Sequence, residues 1–240
     1  MYDFPEVAGA TDALWAAIRE RLRAAGVAAP ETLDRGGDIW AGWRDPALVL
    51  SQTCSLPYRT ALHPHVTLIG TPDHALPGCP PGYYRSVIVA RPGARIPDDW
   101  AGLKLAVNDA ASQSGWGAIA ARAAKVESVV VTGGHRASVA AVASETADLC
   151  AVDAQSWRLM QDHGADAGLV EIERTTPTPG LPLIAAAGGD AAVIARAVDE
   201  AIAALAPDHR AALHLRGLVR IPAAAYLAVP VPPPLPQRAI

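Results

Sequence analysis

Apolar positions along the chain follow two rhythms. Leu14, Ile18, Leu22 and Ala25 recur at helical spacing with arginine and glutamate between them, an amphipathic stripe over residues 11–25 that Gly26 ends. Short, mainly apolar runs of a second kind follow at 46–50, 66–69, 84–90, 103–107, 129–132, 148–152 and 183–187. Their length and their bounding Gly, Pro, Asn, Asp and Ser residues predict buried strands. Helical spacing returns at 116–124, 135–144, 154–162, 191–206 and 208–216.

Strand, turn and helix therefore alternate through the middle of the chain. Parallel strands need crossovers and helices are the usual ones, so the alternation predicts an α/β fold with parallel strands. Sheets of that type bind ligands beyond the carboxyl ends of their strands. The segment Thr175-Thr-Pro-Thr-Pro-Gly-Leu-Pro182 reads as an extended connector, because each proline fixes φ and biases its predecessor away from helix. Residues 230–236 form a proline-rich end, expected as polyproline II or without fixed structure.

Composition narrows the functional classes. Acidic residues outnumber basic ones 24 to 20 and no basic stripe exists, which argues against nucleic-acid binding. Charged residues interrupt every alanine-rich stretch before the roughly 18 apolar residues a membrane span requires, so no membrane insertion is expected. The first residues lack a basic segment followed by an apolar one, so the sequence as it stands reads as cytoplasmic, or as a mature or truncated exported protein. Cys54, Cys79 and Cys150 are odd in number and far apart, better suited to a reducing compartment than to a disulfide framework.

Polar clusters sit where predicted strands end. The first candidate is Asn108–Gly115, whose Ser112, Gln113 and Ser114 precede a helix and can add donors to the positive end of its dipole. The plainer reading of the serines is helix capping. The second is Thr132–Ser138, with His135 on the first turn of a helix; a surface histidine is the plainer alternative. The third is Ser51, Gln52 and Thr53, followed by Tyr58, for which core packing competes. Enzymatic motifs are weak. Gly115-Trp-Gly-Ala-Ile-Ala120 is separated from its strand and has no acidic residue about twenty positions on, against a dinucleotide fingerprint. Ser114 lacks the glycine of a nucleophile elbow. Cys54 with His63 or His65 reads as a structural thiol, and His63, His65, His74 and Cys79 show no recognised metal spacing.

The succession of Pro81-Gly-Tyr-Tyr-Arg-Ser-Val-Ile-Val89, Asn108–Gly115, residues 132–142, Ala147-Asp-Leu149 and Thr176-Pro-Thr-Pro-Gly-Leu-Pro182 resembles the phosphate/phosphonate-type substrate-binding proteins of bacterial ABC transporters. That resemblance implies a two-lobed type II periplasmic-binding fold with mixed sheets and a ligand cleft between the lobes. Lobe 1 would comprise 1–88 with 181–240, and lobe 2 would comprise 89–180, with connectors near 87–90 and 174–182. It further implies that an oxyanion meets Ser112, Gln113, Ser114 and the helix starting at His135. Tyr83 and Tyr58 would contact the rest, and Tyr2, at the end of a first strand, would face the cleft.

Relatives that take aminoalkyl phosphonates place an acidic residue shortly after the Ala-Asp strand and another in the Pro-Gly segment. Gln155 and Leu181 stand at those places, with Asp153 nearby as a possible substitute. A buried ammonium without a carboxylate is costly. The expected ligand is therefore a small anion without an amine, such as phosphate, phosphite or a simple phosphonate, bound without catalysis and without a cofactor. An ABC permease is the expected partner. The alternatives are a cytoplasmic ligand sensor, or an enzyme on the same fold resembling the pyrimidine-synthesis proteins of thiamine production.

Overall fold

The computed structural model describes residues 2–236. Its chain divides into two compact units, one of residues 2–83 with 179–228 and one of 84–178 with 229–236. The first opens on helix α1 (Ala8–Ala24), with Trp15, Ile18 and Leu22 buried. Short helix α2 (Ile39–Trp43) follows, capped by the Asp38 side chain on Trp40 N. Then come strand β1 (Ser51–Gln52), the single turn α3 (Ser55–Pro57) and strand β2 (Val66–Asp73).

Residues 46–50 are not the expected strand. The Asp45 side chain accepts from Ala47 N at 2.8 Å and its carbonyl from Leu48 N at 3.0 Å, so an Asx-type turn occupies most of the run. Tyr2 likewise precedes a 3₁₀ turn (Pro5–Val7) and lies on no strand; its ring meets His74 edge-on.

Strand β3 (Tyr83–Tyr84) crosses into the second unit, which continues with β4 (Ser86–Ala90), β5 (Lys104–Val107) and β6 (Ser128–Val131). Helix α4 (His135–Ala143), strand β7 (Leu149–Asp153), helix α5 (Ala154–Asp162) and strand β8 (Val170–Arg174) complete it. The sheet order is β6-β5-β7-β4-β8. Only β6, β5 and β7 are parallel; β4 runs antiparallel to both β7 and β8. Because β4 pairs on both edges within this sheet, residues 84–88 lie with the second unit, where the sequence division had put them in the first. Its core gathers Ile88, Leu105, Val107, Trp116, Ile119 and Leu149.

No continuous helix spans 116–124. Gln113–Gly117 forms a π-type turn, in which Gly117 N donates to Ser112 O at 2.9 Å, and Ala120–Lys125 is 3₁₀. Two glycines, Gly115 and Gly117, each weaken an α-helix by about 1 kcal/mol relative to alanine, which leaves the chain free to take the wider turn.

Strand β9 (Thr178–Pro179) pairs with β3 and returns the chain to the first unit. There β10 (Leu183–Ala186), helix α6 (Ala191–Ala204), helix α7 (Pro207–Ala212), strand β11 (Gly217–Val219) and helix α8 (Ala223–Leu227) follow. Helix α7 is shorter than its spacing predicts, because His214 adopts a left-handed φ of 47°. The sheet β1-β10-β2-β11 is antiparallel throughout. Its strands come from distant parts of the chain, so no helical crossover joins neighbours and the parallel expectation fails there. Among the described residues, no helix is long and apolar enough to cross a membrane.

Candidate functional site

In the second unit, strand β5 ends at Val107 and the chain turns through Asn108, Asp109 and Ala110 toward Ser112, Gln113 and Ser114, all three buried. Ser112 performs the plain capping role, its Oγ accepting from Gly115 N at 3.1 Å. It also lies 3.4 Å from Ser114 Oγ, which in turn is 3.0 Å from His135 Nε2. A chain of polar groups thus runs from the turn to the first residue of α4. Ser86 Oγ on β4 fixes the turn from behind by donating to Ser114 O at 2.9 Å.

The turn also depends on Gly115. A Cβ there would lie 2.0 Å from Asn108 Oδ1 and 3.3 Å from Asn108 N, so the Asn108 side chain would have to leave its place. The loop before α4 is held just as closely. Gly133 N donates to Asn108 O at 3.0 Å, Thr132 N to Val107 O at 2.9 Å, and Thr132 Oγ1 lies 2.7 Å from Ser138 Oγ.

The N-cap of α4 is Gly134, extended at φ −172°, so no side chain caps this helix. His135 sits half-buried on its first turn, and burial pushes its imidazole down to about 4, so the ring is neutral near pH 7. A neutral imidazole carries one N–H. With Nε2 against Ser114, the buried Nδ1 is left without a partner. Asn108 Oδ1 is a second buried polar atom without one. Uncapped helix N–H groups, two serine hydroxyls and the imidazole can donate to a small oxygen-rich anion, whereas Asn108 Oδ1, an acceptor, can meet only a protonated oxygen or a water.

Asp153 pairs in register with Ser86, the residue that braces the turn, and Gln155 follows it on α5. The Asp153 carboxylate caps α5, accepting from Gln155 N at 2.8 Å and Ser156 N at 3.0 Å. Arg158 donates through Nε to Gln155 Oε1 at 3.1 Å, so a guanidinium lies against this amide. The i, i+3 spacing of Gln155 and Arg158 makes that contact legible in the sequence. Ser86 was not, since its role follows from antiparallel pairing that no local pattern announces.

The remaining candidates belong to the first unit. Ser51 and Gln52 form β1, with Gln52 Nε2 donating to Leu181 O at 3.2 Å. Thr53 is fully buried and its Oγ1 donates to Cys54 O. Tyr58 packs edge-on against Tyr226 with ring centroids 5.1 Å apart, the core role that competed with ligand contact, and burial raises its phenol. Tyr226 in turn bonds Thr71. Tyr83 is half-buried on β3 and packs at the edge of the same cluster. The three cysteines are free, and burial raises the Cys150 thiol, which suits it to packing rather than nucleophilic attack. Among the described residues, no group of His, Cys, Asp and Glu is placed to hold a metal ion.

Comparison with known proteins speaks to family and fold. Residues 52–225 match the family described as ABC transporter, phosphonate, periplasmic substrate-binding protein. No curated protein matches the sequence at a significant level. Among solved structures, a binding protein component of an ABC phosphonate transporter from Pseudomonas aeruginosa aligns with a TM-score of 0.64 at 18% identity, over 86% of this chain and 75% of that one. A Xanthomonas citri protein bound to chloride ion gives 0.67 at 15% identity, over 92% and 90%. A Prochlorococcus marinus protein in complex with methylphosphonate gives 0.61 at 16% identity, over 78% and 77%. The fold is the mixed α/β type II periplasmic-binding fold.

Proposed function

The chain belongs to the phosphonate-type periplasmic substrate-binding proteins of ABC transporters, and from that premise we propose that its ligand is a small oxyanion without an amine, delivered to a permease. It is a solute-binding protein; phosphate, phosphite and simple alkyl phosphonates are the ligand class that fits its residues.

The observation that carries this reading is the uncapped start of α4 joined to Ser114 through His135, with a buried imidazole nitrogen lacking a partner. Backbone N–H groups at a helix start favour negative charge, and hydroxyls give and accept hydrogen bonds as the bound oxygens require. Ser114 has the His135 imidazole within hydrogen-bond reach, but Nδ1 of that ring has no partner to orient it as a base, so binding is the chemistry we read from the array.

Two contacts support the absence of an amine. Asp153 is engaged in capping α5, and Gln155 accepts from the Arg158 guanidinium. An ammonium brought to that place would meet a cation and gain no free carboxylate. The crossings at β3 and β9 are proposed as the hinge of any ligand-driven movement. Close packing marks them: a Cβ on Gly180 would lie 2.6 Å from Gly82 O.

A thermal-shift panel tests the proposal, since a ligand stabilises the folded state as its concentration exceeds Kd. Inorganic phosphate, phosphite or methylphosphonate is expected to raise Tm, and 2-aminoethylphosphonate to raise it less at equal concentration. Stabilisation by the aminated ligand alone would overturn the proposal.

A further inference from the structure

After α8 the chain leaves the first unit, and residues 229–236 join the second. This third crossing contains no helix or strand, and five of residues 229–236 are proline. It is nonetheless anchored at two points. Trp116 Nε1 donates to Pro233 O at 2.7 Å, and Leu235 packs against the core cluster that contains Trp116 and Ile119. Trp116 is a buried member of the π-type turn Gln113–Gly117, directly after Ser112, Gln113 and Ser114.

We propose that residues 229–236 are a positioning strap for the anion-binding turn. By holding the Trp116 indole and filling the core beside it, the strap keeps Gln113–Gly117 in the wide turn that brings Ser114 to His135.

The turn needs such a hold. Its glycines contribute little conformational preference of their own, and a π-type turn is an uncommon backbone arrangement maintained by its surroundings. The indole N–H is a buried donor, and Pro233 O satisfies it; without the strap it would lack that partner. Prolines in the strap limit the conformations it loses on docking, which favours the docked state. The relevance to ligand rests on the function proposed above; the hold on the turn does not.

Linkage gives the inference its sharpest consequence. If docking the strap strengthens anion binding, bound anion must strengthen docking by the same factor. In the 240-residue chain, Leu235→Asp removes the apolar anchor at a part-exposed position, and Trp116→Phe keeps a ring while removing the N–H.

Hydrogen exchange without any ligand reads the hold directly. Both variants are expected to speed exchange at the Gly115, Trp116 and Gly117 amides by about tenfold, with the β5 and β7 amides unchanged. In calorimetry, Leu235→Asp is expected to weaken methylphosphonate by about tenfold, and methylphosphonate to slow exchange of the Leu235 amide in the unmodified chain by a comparable factor.

Unchanged exchange in the turn of both variants would overturn the strap. So would faster exchange in the turn with methylphosphonate affinity unaltered, since the strap would then not position the site. An unmodified chain that binds none of the oxyanions would instead overturn the functional reading, with the turn's exchange still deciding whether the strap holds it.

Discussion

Helices α4 and α5 both start where a strand of the same sheet ends, yet their first turns are finished in opposite ways. At α5 the carboxylate of Asp153 accepts from the first backbone N–H groups, so the helix start is neutralised and closed to anions. At α4 the cap is Gly134, which has no side chain to offer, and the nearby polar groups are His135, Ser114 and Ser138. A carboxylate at a helix start and an anion from solution compete for the same donors. The difference between the closed helix start and the one proposed to meet the anion is thus the absence of one carboxylate.

Converting one start into the other has the largest expected effect. Gly134 is extended, and a Cβ there meets nothing within 4 Å, so Gly134→Asp introduces a cap without strain. The variant should be more stable by a few tenths of a kcal/mol in urea denaturation while binding methylphosphonate at least about a hundredfold more weakly in calorimetry. Equal affinity would show that the anion does not use α4.

The support behind the open start is tested next. Gly115→Ala forces a Cβ against Asn108 Oδ1 and should cost about 2 kcal/mol of stability, with affinity falling in parallel. Wild-type values for both would mean that the turn relaxes freely.

The closed start gives the complementary control. Asp153→Ala should lose about 1–2 kcal/mol of stability by uncapping a buried helix start, while methylphosphonate affinity changes less than about threefold. A large loss of affinity with unchanged Tm would return Asp153 to the ligand site.

The smallest effect is the pH signature of His135. Its folded-state value, about 4, lies below the ordinary 6.5, so the unfolded chain binds the proton first as pH falls. Stability contributed by the neutral ring is present above pH 6.5 and is lost as pH drops toward 4. Between about pH 6.5 and about pH 5 the unmodified chain should lose about 1 kcal/mol relative to His135→Gln. Parallel stability curves would contradict a buried, neutral imidazole.

Much of this was legible in residue order. The strands at 66–69, 103–107, 129–132 and 148–152 and helices 135–144 and 154–162 appear close to where periodicity places them, because their apolar runs are long enough to show. The five-stranded sheet's antiparallel member β4 was hidden: its partners β7 and β8 are far along the chain, and a buried strand looks the same in either direction. Residues 46–50 misled because Asp45 turns the backbone before the apolar run can pair.

At the site, residue types were readable and their engagement was not. Ser114 and His135 are brought together across 21 positions by the ends of β5 and β6. Asp153 and Gly134 looked alike as polar or small residues at strand exits, and only the cap geometry separates them. The proline-rich end gave no local sign of a fixed place, since Trp116, its hydrogen-bond partner, lies 117 positions away.

The most direct test of the central claim is a calorimetric competition on the unmodified chain between methylphosphonate and 2-aminoethylphosphonate. The account predicts binding of methylphosphonate, with the aminated ligand at least about tenfold weaker because its ammonium meets Arg158 and finds no free carboxylate. Tighter binding of 2-aminoethylphosphonate than of methylphosphonate would contradict it.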